Sequence, residues 1–254
     1  MPNDLNLEHQ LRRRTRFGRL LRLQTCASTQ DAAASMASGE GDLDAVVWAD
    51  HQTNGRGRQQ REWDHQPGMD LAVTFRVRAQ LPNPVALPAA LPVAVLQACE
   101  PLANKTLRIK WPNDVYAEDR KLSGVLIDRD SAHPDVYYIG VGVNVNRTAF
   151  PADLAQTATS LRLLSGCEVD RGRALIALAE AVDAMLSAVS GDREDVAHRQ
   201  LFCDRLGLLH SDVIVEAGQT WRGRLTDIDF ERLVLDGAQS IPLAIVTKLT
   251  PLRR

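Results

Sequence analysis

Four cysteines, Cys26, Cys99, Cys167 and Cys203, stand far apart, with no C-x-x-C pair and no metal-type histidine–glutamate spacing. That excludes a disulfide framework, a zinc ribbon and a vicinal redox pair, and the four read as reduced core thiols. A chain of 254 residues can bury a core without such staples. No run of roughly 18 apolar residues occurs, and the basic stretch Arg12-Arg13-Arg14-Thr15-Arg16 is not followed by the apolar segment a signal sequence needs. A cytoplasmic location is therefore expected, with the basic stretch as a solvated tail. An excess of one charge is missing too: 30 Lys+Arg against 32 Asp+Glu excludes a generally basic nucleic-acid binder and an acidic disordered chain. There is no internal repeat and no low-complexity segment.

What is present is an alternation of short strand-like and helix-like segments. Residues 17–24 read as a first strand, and Ser28 caps an alanine-rich helix that Gly39 and Gly41 stop. Residues 45–49 and 71–77 read as buried strands joined by a long polar loop, a length that points to binding or closure. The proline-rich segment 81–92 precedes a helix carrying Val93, Leu96, Cys99 and Leu102 on one face, with Pro92 in its first turn. Short strands are expected at 107–111 and around 115–116, then a strand pair at 122–127 and 136–145. Leu175, Leu178, Val182, Met185 and Val189 recur at helical spacing and mark one amphipathic helix over 170–190 that should cover a sheet face. From about Ser211 the texture changes to short alternating segments with an Asp236-Gly237 turn, a small antiparallel barrel.

Three clusters carry chemistry. The long loop contains Gly55-Arg56-Gly57-Arg58-Gln59-Gln60-Arg61-Glu62-Trp63. Its glycines allow close backbone approach, its arginines offer planar cationic forks for phosphate or carboxylate, and Trp63 can lie against a purine. Taken alone, the loop is described as well by a flexible surface segment. Lys110-Trp111-Pro112-Asn113-Asp114 and Arg120-Lys121-Leu122-Ser123-Gly124 follow, where a lysine starts an apolar strand; alone, these are a turn and a solvated strand end. Gly140-Val141-Gly142-Val143-Asn144 places glycines inside a strand, a mark of close approach, with Asn144 able to read an adenine edge or simply close a hairpin.

In order, S-T-Q, Q-x-x-G-R-G-R-x-x-R-x-W, K-W-P-N-D, R-K-L-S-G-V-L and G-V-G-V-N make the chain resemble the biotin protein ligase family over residues 17–146, and the barrel-like tail fits that family's small C-terminal domain. The resemblance implies an α+β fold: a mixed-sheet catalytic domain with helices on it, class II synthetase-like, over residues 1–205, and a small SH3-like β-barrel over 206–254. It implies activation of biotin by ATP, with Mg²⁺ on the phosphates, to biotinyl-5'-AMP, and transfer to a lysine of a biotin carboxyl carrier protein of acetyl-CoA or a related carboxylase. By resemblance, Ser28, Thr29, Gln30 and Gln52 hold the ureido ring, Gly124 joins that biotin set, and Arg56, Gly57 and Arg58 form the ordering loop. Lys121 meets the biotin carboxylate and the reacting phosphate. Trp63 flanks the adenine and Asn144 contacts it, with Gly55 and Arg61 on the nucleotide as well. Lys110, Asn113 and Asp114 line the nucleotide and acceptor side. Lys121, Arg56, Arg58 and Asp114 form the catalytic set, Asp114 as base for the acceptor lysine.

Gln59-Gln60 departs from the family, which commonly has Arg-Gly there: the loop has one glycine and one charge fewer. About 25 residues precede Ser28, too few for the DNA-binding domain of repressor relatives. The expectation is the ligase-only form, without DNA or membrane binding; pairing of two chains is left open. The competing readings are a lipoate or octanoate ligase or transferase of related fold, and a biotin-sensing regulator that has lost catalysis. The first typically carries R-R-x-S-G-G-G where this chain has Gly55-Arg56-Gly57-Arg58, and the intact Lys121 opposes the second.

Overall fold

The computed structural model describes residues 4–36, 44–191 and 196–252. The chain opens with helix α1 (Asp4–Arg14), not the solvated tail expected from its arginines, because Leu7 and Leu11 at helical spacing are buried in the core. Arg12 and Arg14 stay on the surface and pair with Glu8 and Glu180. Strand β1 (Arg19–Cys26) leads into α2 (Thr29–Ala34), where the Ser28 hydroxyl accepts from the Gln30 N–H at 3.2 Å as the expected cap. Gly39 and Gly41 lie outside the described residues. Strand β2 (Ala45–Gln52) ends in the long polar loop, which contains a 3₁₀ turn at Arg58–Gln60, and β3 (Leu71–Arg78) follows.

Helix α3 (Leu87–Ala103) starts at Leu87 rather than at Pro92, so Pro92 sits inside it. Pro88 takes the first turn, where a missing N–H costs nothing. The bond forfeited at Pro92, about 3 kcal/mol, is offset by burial of Leu91, Val93, Val95 and Leu96, each contributing about 1.5–3 kcal/mol. By length and composition the span Pro84–Ala103, of mean hydropathy 1.5, is apolar enough to cross a bilayer. Here it is a core helix, packed along the helix at Arg171–Ser190 and over the strands at Arg108–Lys110, Asp114–Ala117 and Arg120–Arg129.

Strands β4 (Arg108–Lys110), β5 (Asp114–Ala117), β6 (Arg120–Arg129) and β7 (Val136–Val143) come next, then α4 (Leu161–Ser165), α5 (Arg171–Ser190) and α6 (Val196–Leu206). Asp170 caps α5 by accepting from the Arg173 N–H at 2.7 Å, and Leu175, Leu178, Val182 and Met185 are buried as their spacing predicts. The sheet order is β1-β2-β3-β7-β6-β5-β4, with β1–β2 parallel and the other pairs antiparallel, so the sheet is mixed. A second, antiparallel sheet of order β11-β10-β9-β8-β12 is built from β8 (Asp212–Ala217), β9 (Gln219–Ile228), β10 (Arg232–Leu235), β11 (Gln239–Pro242) and β12 (Lys248–Pro251). The α+β class and the small antiparallel C-terminal unit are both as expected, and Asp236 and Gly237, at φ 52° and 71°, make the β10–β11 turn. The indole N–H of Trp111 donates to the Val246 carbonyl at 3.0 Å, a buried tie from the large sheet to the small unit.

Candidate active site

Ser28, Thr29 and Gln30 turn off the end of β1 into α2 and are all buried. Gln52, at the end of β2, secures them: its Oε1 accepts from the Thr29 N–H at 2.8 Å and from the Thr29 hydroxyl at 3.0 Å. The Gln30 amide donates to the carbonyls of Leu126 and Tyr138 across the β6–β7 pair, while its buried Oε1 has no hydrogen-bond partner. That leaves an acceptor for a ligand N–H or a water.

The polar loop forms a narrow flap over this floor. Gly57 N–H donates to the Arg61 carbonyl at 2.7 Å and Trp63 N–H to the Gly55 carbonyl at 2.9 Å, with Arg56 bridged to Glu62 between them. The Trp63 indole lies against the sheet where Gly124 and Gly142 face each other across β6 and β7. A Cβ on Gly142 would stand 2.3 Å from Trp63 Cε2, and a Cβ on Gly140 would stand 3.1 Å from Gln30 Nε2. The interior glycines thus mark close approach, by Trp63 and Gln30. Arg56 pairs with Asp31 of α2 at 2.6 Å. Burial pushes the Arg58 guanidinium below its usual range, with Asp114 acting in the opposite direction. Gln59, one of the two departures, holds a left-handed backbone at φ 56° where a glycine would be unstrained.

Lys121 is aimed by its backbone. Its N–H donates to the Thr157 carbonyl at 2.7 Å and its carbonyl accepts from Thr159 at 2.9 Å. A register shift at Val115/Tyr116 leaves an extra residue on β6 beside it, a bulge of the kind that redirects side chains near sites. Its Nζ lies 2.7 Å from Asp114 Oδ1 and 5.2 Å from the Trp63 ring centroid. Asn113 is stapled to β6 through the Val125 carbonyl at 2.6 Å, and Lys110 reaches out over the Tyr116 ring.

A cavity of about 1540 Å³ gathers these groups. Ser28, Thr29, Gln30, Gln52, Arg56, Gly57, Arg58, Arg61, Trp63, Lys110, Asn113, Asp114, Lys121 and Gly124 all line it. Gly55 and Asn144 do not. Gly55 packs behind the flap against the Trp63 carbonyl and Gln52. The Asn144 side chain is buried and donates to the Thr159 carbonyl at 2.9 Å, so its amide pins the segment that clamps Lys121. Sequence reasoning missed one wall entirely: Glu216, Lys248, Leu249 and Leu252 come from the small unit. Their only signal is three-dimensional, through the Trp111–Val246 tie.

Two negatively charged reactants could be accommodated here, one against the polar turn at Ser28–Gln30 and one against the flap arginines, with Lys121 between them. The mixed sheet thus carries a pocket with glycines at its floor, a cationic flap over it and a lysine on the neighbouring strand. The profile of the Biotin/lipoate A/B protein ligase family matches residues 23–146. A biotin–[acetyl-CoA-carboxylase] ligase of Mycobacterium tuberculosis is 36% identical over 227 residues, which cover 84% of this chain and 81% of that one. The chain belongs to this family. The bifunctional ligase/repressor BirA of Bacillus spizizenii is 36% identical over 151 residues, 57% of this chain, and that match spans about half of the relative, 46%. The biotin protein ligase of Aquifex aeolicus, solved with biotin and ATP, superposes with a TM-score of 0.79 at 25% identity over 93% of this chain and 100% of that one.

Proposed function

We propose that this chain joins biotin to ATP, giving biotinyl-5'-AMP and pyrophosphate, and then transfers the biotinyl group to a lysine of a biotin carboxyl carrier protein of acetyl-CoA or a related carboxylase. The observation that carries this reading is the convergence of Lys121 and the flap arginines on the cavity lined by Ser28, Thr29, Gln30 and Gln52. It is supported by a relative of the named activity that aligns over 84% of the chain.

A carboxylate is a poor acyl donor until one oxygen carries a leaving group. In the first step a biotin carboxylate oxygen attacks the α-phosphorus of ATP, a P–O bond forms, and pyrophosphate departs with the electron pair. Two anions meet, and Lys121, Arg56 and Arg58 offset both their repulsion and the charge spread over the phosphoryl oxygens. Mg²⁺ entering with the nucleotide would supply further charge neutralisation at the phosphates. Among the described residues no group of three or more His, Cys, Asp or Glu is placed to hold a metal ion. Trp63 walls the pocket beside the adenylate, and the flap excludes water from the mixed anhydride.

In the second step the ε-amine of the acceptor lysine attacks the acyl carbon, AMP leaves, and an amide forms with loss of one proton. That amine has an ordinary pKa of about 10.4 and needs a base. Asp114 fills this role. Before biotin arrives it is neutralised by Lys121 at 2.7 Å. When Lys121 turns to the incoming carboxylate, Asp114 is released to take the acceptor's proton.

The test is pyrophosphate release from MgATP by the purified chain. Release that requires biotin, and is not supported by lipoate, is expected; release with lipoate alone, or none with biotin, contradicts the reading.

A further inference from the structure

Beneath the flap lies a pair of histidines that the chemistry above does not use. His51, near the end of β2, and His65, two residues beyond Trp63, stack with ring centroids 5.5 Å apart and planes inclined by 30°. The Nε2 of His65 accepts the backbone N–H of Gln52 at 2.9 Å. It can do so only with a free lone pair, that is, as the neutral imidazole protonated on Nδ1. Gln52 is the residue whose side chain secures Thr29, and Gly55, the hinge of the flap, packs on its Nε2. One hydrogen bond therefore ties the far end of the flap to the strand that orders the Ser28–Gln30 turn.

We infer that His65 is a positioning residue: as a neutral imidazole it fastens the base of the flap to Gln52, and on protonation it releases it, so that affinity for the ligand of the Ser28–Gln30 turn falls as the solution is acidified. This rests on the biotin reading for the identity of that ligand. The mechanism is a donor meeting a donor. A protonated Nε2–H points at the Gln52 N–H, and the new charge sits against His51 and half-buried surroundings.

The groups facing His65 set where this happens. Burial lowers its pKa below the ordinary histidine value; the His51 imidazole lowers it further, and Arg147 does so by a smaller amount, while Asp64 raises it. Arg147 is itself held by Asp64 at 2.7 Å and lies 3.7 Å from Asp70, so its charge is largely compensated. The flap base is thus fastened at neutral pH and comes loose only on the acid side of the ordinary histidine range.

Two measurements decide the matter. The backbone amide resonance of Gln52, followed by nuclear magnetic resonance, should titrate with His65 in the wild type and stay flat in His65→Gln, whose amide oxygen can accept the same N–H without protonating. Biotin affinity measured by calorimetry should fall as pH is lowered from neutrality through the acid range in the wild type, by up to about fivefold once the one neutral hydrogen bond is fully lost, and change less than twofold in His65→Gln. His65→Ala should bind more weakly than the wild type at neutral pH, and the two should converge as the solution is acidified. A Gln52 amide that ignores pH, or a His65→Gln protein with the wild-type pH profile, overturns the inference. A protein that binds no biotin at any pH instead overturns the ligand assignment, and the Gln52 titration still decides the role of His65.

Discussion

Gly142→Ala is the smallest change that should disturb the site without touching a charged group. The added Cβ would stand 2.3 Å from Trp63 Cε2, 2.5 Å from Cζ2 and 2.7 Å from Nε1. Carbon atoms pack at about 3.5–4.0 Å, so the indole must back away by more than ~1 Å. It cannot do so alone, because the Trp63 N–H is bonded to the Gly55 carbonyl at 2.9 Å and the flap is a closed ribbon between those residues. The overpacking, about 1–3 kcal/mol, should therefore be relieved by lifting the flap rather than by distorting the strands, which are held by neighbours on both sides. Thermal stability should stay near wild type, while biotin affinity falls tenfold or more, roughly 1.4 kcal/mol, and tryptophan emission shifts as one of the four indoles becomes wetter. Calorimetry and fluorescence on the same samples make the comparison. Unchanged emission together with unchanged affinity would mean that Trp63 does not rest on Gly142 in solution, and the account of the flap would be wrong.

Two further outcomes are expected. Arg58→Gly should still form adenylate but retain it poorly, so that lysines on unrelated proteins become biotinylated; modification confined to the proper carrier, read by avidin blot, would remove Arg58 as the latch. Asp70, buried where β3 begins, is raised to about 6 by burial, against the pull of the Gln66 and Val145 N–H groups and of Arg147. The folded chain therefore binds this proton more tightly than the unfolded chain, and the stability it contributes is present below about pH 3.9 and lost as pH rises through about 6, on the order of 3 kcal/mol. Urea unfolding of the wild type and Asp70→Asn across that window should give curves that lie together at low pH, where the carboxyl is neutral like the amide, and separate as pH rises through about 6 with the wild type the less stable; parallel curves would contradict the assignment.

Periodicity made much of the scaffold legible. The helix at 171–190 was readable from five apolar residues at helical spacing, and the strand pair from two apolar runs around a polar turn. The misreadings share a cause, which is tertiary burial outweighing local signals. Leu7 and Leu11 make a core helix of what its arginines suggest is a tail, and the apolar environment of α3 tolerates Pro92 in mid-helix. At the site, motif residues supplied most of the floor, flap and lysine. Asn144 does not line the cavity; its buried amide donates to the Thr159 carbonyl, as a buried polar side chain must find a partner. The wall from β8 and β12 could not be read at all, since Trp111 and Val246 are 135 residues apart and only the folded chain brings them together.

The central claim is that one lysine and a cationic flap unite two anions for transfer to a carrier. Its most direct test is to incubate the purified chain with biotin, MgATP and a biotin carrier domain and weigh the carrier by mass spectrometry, with Lys121→Ala and lipoate as the controls. The wild type should add the mass of one biotinyl group, with little or no addition by Lys121→Ala or with lipoate. A carrier left unmodified by the wild type, or modified equally well by Lys121→Ala, would contradict it.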